Sequence, residues 1–357
     1  MAYSGTVGTT VINVQKMIDH ACRRCGKLAE ELTSEQILSA RESLFFALSS
    51  LANLGINYWA INKKVYGLKA DQYIYELPVG AVEVLNVLYR TMNRPTGDYT
   101  SSAGGIVGFV ADSNIDTYCQ QNAPNGSISV DYGSGNLIYA GSIGLLPYVA
   151  GGGTAVWSIV YEYSVDGITW KTLTDLGQIT VTDNEWIWTD IDPGQNVQYY
   201  RIRGYNGTTL AIREWYLGNN SREIMMARLN RDDYTNLPNK NFTANQPYQF
   251  WFDRTIPQQR IFLWPTPSDP FIQMTVWYSR QIMDVGALTN ELEVPQRWYE
   301  ATIFMLAHRM ALEMPNVAPD RIAYLEKMAD RYIHEAEQEE RDKSPIYLQP
   351  QIGVYTR

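Results

Sequence analysis

WSIVYEYSVDGITW, Trp157 to Trp170, is the stretch that decides how much of this chain folds. Trp157, Ile159, Tyr161 and Tyr163 fall on alternate positions, the period of two that places side chains on one face of a β-strand. Asp166-Gly167 interrupts the run. That pair favours a tight hairpin turn because glycine adopts positive φ without a steric penalty. Ile168, Thr169 and Trp170 then resume in the return direction.

The same texture extends on both sides of the hairpin. From Arg94-Pro95-Thr96-Gly97 to about Asn220 the chain is rich in Gly, Ser, Asn and Asp, with short aromatic runs and no helical period. Trp186 to Trp188, Tyr199 to Arg203, a turn at Asn206-Gly207 and Leu210 to Leu217 read as further strands. Repeated short strands and tight turns predict an all-β sandwich over residues 95–220.

Helical spacing returns outside this segment. Val14, Met17, Ile18, Ala21, Cys22, Cys25 and Leu28 form one stripe, and Thr33 with Gln36 three residues on is a capping-box pattern that opens a second helix ending at Gly55. Leu44, Ala47, Leu48, Leu51 and Leu54 are its expected buried face. Strands are expected at Gln72 to Leu77 and Val82 to Arg90 around a Pro78–Gly80 turn, then at Gln249 to Phe252, Arg260 to Trp264 and Phe271 to Arg280. Pro295 marks a helix start ahead of Tyr299, Ile303, Leu306, Ala307, Met310 and Met314, and Ile322, Leu325, Ala329, Tyr332 and Ala336 form a final stripe. From Pro345 two prolines and alternating apolar residues predict an extended arm. The expected class is therefore α+β. A helical core with a small β-rich part, 1–94 and 221–343, is interrupted by the all-β insertion 95–220 and followed by the arm 344–357.

The 357 residues are 45% hydrophobic and 19% charged, ordinary values for a globular chain long enough for two domains. Met1 to Thr10 carries no basic patch leading into an apolar run, and no stretch approaches the roughly 18 apolar residues of a membrane span. A cytosolic or virion location is the expectation. The net charge is −9, and residues 98–219 hold 12 acids and 4 bases, a balance of −8, leaving 26 acids and 25 bases elsewhere. Neither part has the basic face that grips duplex DNA by counterion release.

Chemistry-bearing patterns are sparse. His20, His308 and His334 each stand alone on a predicted helix, and neither a Gly-x-Ser-x-Gly nor a phosphate-binding Gly-rich loop occurs. Cys22 and Cys25 lie on the apolar stripe of their helix and read as core packing rather than as a redox or zinc pair. Asp112, Asn114 and Asp116 have the alternating oxygens of a calcium loop, but Thr117 and Ala123 stand where such a loop needs Gly and Glu. A turn held by side-chain-to-backbone bonds is the plainer account. Exposed aromatics of the insertion are candidates for stacking on sugars, although most of its Trp and Tyr alternate as strand-core residues do. No cofactor and no catalytic residue is predicted.

Leu51 to Trp59 (LANLGINYW), Tyr73 to Pro78 with Val84 to Val87, Trp264 to Pro267, and Val294 to Trp298 leading into the Ala301 to Met310 helix together resemble the head-to-tail adaptors, or tail accessory factors, of podovirus-type bacteriophages. Their order along the chain carries the resemblance, over about residues 10–94 and 222–343. It implies a non-enzymatic connector located in the neck or tail of the virion and assembled in the host cytoplasm. Such adaptors form a usually twelve-fold ring below the portal protein, receive a tail hub or nozzle protein, and let double-stranded DNA pass without sequence-specific binding. Tail fibres are a further candidate partner, and no membrane is involved. Adaptors of this kind send C-terminal arms toward the portal, so Ile346, Tyr347, Leu348, Ile352, Val354 and Tyr355 are the expected docking residues.

The insertion resembles a discoidin-like (F5/8 type C, galactose-binding-like) sandwich through Asp112 to Thr117, Ser127 to Gly133, Tyr161 to Trp170 and Tyr199 to Arg203. That implies a jelly-roll-like fold and makes carbohydrate or host-surface recognition the alternative function.

Overall fold

The structure, a computed structural model, describes residues 11–53, 58–93 and 96–340. The arm positions Ile346 to Tyr355, and Leu54 and Gly55 at the expected end of the second helix, lie outside the described residues. The chain divides into two compact units, one formed by 1–62 with 279–357 and the other by 63–278.

In the first unit α1 (Val14–Cys25) and α2 (Ser34–Asn53) come from the start of the chain. Asn13 caps α1 by accepting from the Lys16 N–H at 2.9 Å, and Gly26 ends it at φ +85° with its N–H on the Arg23 carbonyl. Positive φ favours glycine at this position. The stop leaves Leu28 off the helix and 59% exposed, so it is not part of the stripe predicted from spacing. The capping box forms as read: Thr33 Oγ1 accepts from the Gln36 N–H and Gln36 Oε1 accepts from the Thr33 N–H at 3.0 Å. The other helices of this unit, Tyr299–Glu313 and Pro319–Glu340, follow a Pro295 that caps a short 3₁₀ turn. Met17, Ile18 and Cys22 of α1 share a core with Leu44 and Leu48 of α2, with Leu306 and Met310, and with Leu325 and Ala329.

The second unit begins with β1 (Ile61–Gly67), β2 (Ile74–Glu76) and β3 (Ala81–Asn93). It continues through β4 (Asp98–Ser101), β5 (Cys119–Gln120), β6 (Ser127–Asp131), β7 (Ile138–Pro147), β8 (Thr154–Ser164) and β9 (Lys171–Thr182). Then come β10 (Ile187–Val197), β11 (Tyr199–Tyr205), β12 (Ala211–Met225) and β13 (Ala227–Leu229). After the short helix α3 (Arg231–Thr235) it ends with β14 (Thr243–Ala244), β15 (Gln249–Asp253), β16 (Arg260–Trp264), β17 (Thr266–Pro267) and β18 (Gln273–Arg280). With these labels the helices Tyr299–Glu313 and Pro319–Glu340 are α4 and α5. The largest sheet runs β1-β18-β3-β12-β7-β10 with β5 beside β12; the others run β4-β6-β11-β8-β9 and β13-β15-β16-β2.

Two cores lie along the large sheet. Ile143, Leu145, Ile212, Trp215 and Leu217 of that sheet share one core with Ile128, Ile159, Tyr161 and Ile202 of the five-stranded sheet, which makes the β-sandwich. Val84, Val87, Met274 and Val276 share the other with Tyr75, Phe250, Ile261 and Leu263 of the four-stranded sheet. β8 and β9 do pair as a hairpin, but through a six-residue loop, 165–170, rather than the tight turn expected at Asp166-Gly167: Ile168, Thr169 and Trp170 belong to the loop, and the return strand begins at Lys171. Both faces of β8 are covered, because Glu162 on the reverse side is buried between Arg201 and Arg203.

The expected boundary at 94/95 lies outside the described residues, and that at 220/221 falls within β12, which pairs with β7 through Leu217 and with β3 through Met225. The compact unit therefore takes in strands β1 to β3 and β13 to β18 together with the sandwich.

One buried cation ties these strands together. Arg90 of β3, 5% exposed, donates to Glu223 of β12 at 2.9 Å and to Asp190 of β10 at 2.7 Å, and Lys63 of β1 reaches the same Asp190 at 2.5 Å. A buried guanidinium is tolerated because both carboxylates meet it. Arg90→Met is expected to lower stability by roughly 2–4 kcal/mol, since two carboxylates lose their shared partner. Urea denaturation followed by circular dichroism measures the loss.

Candidate functional site: a loop cluster at one end of the sandwich

The segment between β4 and β6 forms loops at one end of the sandwich, and two features meet there. The first is the turn that carries Asp112, Asn114 and Asp116. Asp112 Oδ1 accepts from the Asn114 N–H at 3.0 Å, Asn114 Oδ1 accepts from the Asp116 N–H at 3.1 Å, and the Thr117 hydroxyl donates to Asp112 Oδ2 at 2.8 Å. These are the local bonds of an ordinary Asx turn. Asp116 also lines the cleft described below.

Strand β12 adds a group that spacing alone does not reveal. Its pairing with β7 is irregular between Ile212 and Glu214, and an irregularity of this kind re-aims side chains. Arg213 Nη1 donates to the Ile115 carbonyl at 3.0 Å and the Trp215 N–H donates to the Val110 carbonyl at 2.8 Å, so β12 is tied to the loop on both sides of Glu214. Glu214 is fully buried, and its carboxyl lies near the Tyr216 hydroxyl, the Asp112 carboxylate and the Asn114 N–H without a hydrogen bond of full geometry to any of them. Burial, with Asp112 close by, pushes its carboxyl up to about 8. A signal for it existed in the sequence: an acid in the middle of the apolar run Leu210 to Leu217.

A buried carboxylate next to a second one, beside an Asp/Asn turn, fits a hard cation such as calcium, which takes six to eight oxygens from carboxylates, amides and carbonyls. Glu214, Asp112 and the Asn114 amide are the side chains that could hold it. Among the described residues no three His, Cys, Asp or Glu converge, so backbone carbonyls and water would complete the shell. A bound cation would supply charge neutralisation and rigidity at this end of the sandwich.

The second feature is an open cleft of about 730 Å³ lined by Ile106, Phe109, Asp116, Tyr118, Gln120 and Asn122, among others. Ile106 is 67% exposed, and Phe109 and Tyr118 are each 39% exposed. Gly105 makes the cleft possible: at φ +98° a Cβ there would lie 2.2 Å from the Gln120 carbonyl oxygen. Tyr118 stacks on Tyr148 with centroids 3.7 Å apart, and the Arg213 guanidinium sits 4.9 Å over Tyr148 while donating to both Asp183 oxygens at 3.3 Å. The aromatic wall is thus braced from behind. Tyr132, Trp157, Tyr161, Tyr200 and Trp215 of the sandwich are buried in its core as alternation predicts.

The remaining patterns singled out in the sequence do not join this cluster. His20, His308 and His334 lie on α1, α4 and α5 of the helical unit. Cys22 and Cys25 are buried free thiols of that unit, Cys25 donating to the Ala307 carbonyl at 3.1 Å with its thiol pushed up to about 11 by burial.

Because the folded chain holds the Glu214 proton more tightly than an unfolded chain does, its contribution is lost as pH rises from about 4.3 through 8. In a chelator, Glu214→Gln is expected to melt higher than the parent at about pH 9 and to match it at about pH 4. Calcium near neutral pH should raise the melting temperature of the parent and leave that of the variant unchanged, which differential scanning calorimetry reads directly.

No family model and no curated protein matches the chain. Similar solved structures include a CBM32 module from a family 31 glycoside hydrolase of Clostridium perfringens, at 20% identity and TM-score 0.30, covering 36% of this chain and 97% of that one. The family 32 carbohydrate-binding module of C. perfringens NanJ in complex with galactose is similar at 18% identity and TM-score 0.29, covering 37% and 99%. The C-terminal domain of a chitobiase from Bacteroides fragilis follows at 19% identity and TM-score 0.27, covering 43% and 99%. At these scores the likenesses assign neither a ligand nor a role to this chain.

Proposed function

We propose that the chain is a non-catalytic binding protein whose sandwich takes a saccharide in the cleft of Ile106, Phe109 and Tyr118. The observation that supports this reading is the exposed, braced aromatic wall facing the amide side chains of Gln120 and Asn122. Sugars offer C–H faces to aromatic rings and hydroxyls to amides, so one ligand satisfies both sides of such a cleft. Calorimetric titration of the full chain with a panel of oligosaccharides tests it. Phe109→Ala and Tyr118→Ala are each expected to weaken binding about three- to tenfold without lowering the melting temperature. Absence of saturable binding to every sugar overturns the reading.

A second reading, the ring-forming head-to-tail adaptor, is supported by a different surface. On α2 of the helical unit Ala40, Leu44, Ala47, Leu48 and Leu51 are buried, yet Leu38, Phe45 and Phe46 on the opposite side stay 39–56% exposed. A helix apolar on two sides has a face left for another chain. In this reading the occupant is the helical unit of a neighbouring copy, the portal protein lies on one side of the ring, and the sandwich serves recognition beside it. Leu38→Glu with Phe46→Glu is then expected to turn a ring-sized species into a monomer with an unchanged circular dichroism spectrum. Sedimentation velocity gives the size, and a parent chain that is monomeric, with or without a candidate portal protein, removes the adaptor reading.

A further inference from the structure

Resting on the saccharide reading of the cleft, we infer that the site selects its ligand by charge, preferring sugars that carry a free amine over neutral ones and rejecting uronates and other acidic sugars. The loops that build this end of the sandwich are held together as one body. The Gln121 N–H bonds the Leu210 carbonyl, the Asn125 N–H bonds the Thr208 carbonyl, and the Asn184 N–H bonds the Pro147 carbonyl. Residues 101–126, 147–154, 182–187 and 204–211 contain no Lys or Arg, while they carry Asp112, Asp116, Asp183 and Glu185.

The nearest cation of the sandwich is Arg213, and it is committed. Its Nη1 is on the Ile115 carbonyl, its Nη2 is on Asp183, its plane covers Tyr148, and its Nε is buried. The three other bases of residues 98–219 do not line the cleft: Arg201 and Arg203 pair with Glu162, and Lys171 is an exposed residue at the start of β9, in register with Tyr163. An acidic sugar entering the cleft would thus leave its carboxylate near Asp116 without a donor of positive charge. An ammonium in the same place gains the Asp116 carboxylate, which lines the cleft and is exposed. Filling the Asp112–Glu214 position with calcium would cancel charge behind the cleft, not at Asp116.

The test uses the full chain with calcium present and three tetrasaccharides: glucosamine, N-acetylglucosamine and galacturonate. At about pH 6 and about 0.02 M salt, where screening is weak, the glucosamine tetramer is expected to bind about two- to fivefold more tightly than the acetylated one, and the galacturonate tetramer least. Raising salt to about 0.5 M should close the gap. Asp116→Asn should bring glucosamine affinity down to that of the acetylated tetramer and leave the latter unchanged. Equal affinity for the two, or tighter galacturonate binding, overturns charge selection while leaving the saccharide reading in place. A gap that survives Asp116→Asn overturns the assignment to Asp116. Binding of none of the three, or of any other sugar, overturns both.

Discussion

The β unit hangs on a single strand. β12 runs for 15 residues, and at about 3.3 Å per residue that is long enough to pass from one hydrophobic core to the next. Ile212, Trp215 and Leu217 belong to the sandwich core, and Met226, one residue past its end, belongs to the second core. Because the hydrogen-bond ladder to β7 passes along the same strand to the ladder with β3, strands β7 and β10 of the sandwich lie in one sheet with β1, β3 and β18. Arg90 reinforces that continuity by bonding across β3, β12 and β10.

The same strand positions the loop cluster. Arg213 and Trp215 clamp the β4–β6 segment to β12, and the irregular register between Ile212 and Glu214 leaves Glu214 in the interior beside Asp112. Burying a carboxylate next to a second one is unfavourable unless a proton or a cation accompanies it. The stability given up there is the physical reason to regard that end of the sandwich as a site. Arg213 connects the two features, since the guanidinium that fixes the Asp112 turn also braces the aromatic wall of the cleft through Tyr148.

Much of the local structure is legible residue by residue. The β8–β9 hairpin, the Thr33–Gln36 capping box, the Asn206-Gly207 turn and the apolar stripes of α1 and α4 are written in short-range patterns, because caps, turns and periodicity depend on neighbours within four positions. Leu28 shows the limit of such a pattern: it has the right spacing, but Gly26 ends the helix first. Strand β1 has no such pattern, since Ile61 to Gly67 carries two adjacent lysines and no clean alternation. Glu162 is a similar case, a charge that alternation assigns to solvent and that two arginines on β11 allow to be buried.

By itself the sequence determined the element types, the concentration of negative charge between Asp98 and Asn219, and the Asx turn at Asp112, since each rests on composition or on near neighbours. Only the tertiary structure decided that β12 joins two cores, that Glu214 is buried beside Asp112, and that Ile106, Phe109 and Tyr118 share one cleft with Asp116. Those facts depend on pairings between strands and loops roughly a hundred residues apart, such as Arg213 with Ile115 and Arg90 with Asp190. Long-range register of that kind has no local signature, because the residues that meet are chosen by the sheet and not by their neighbours in the chain.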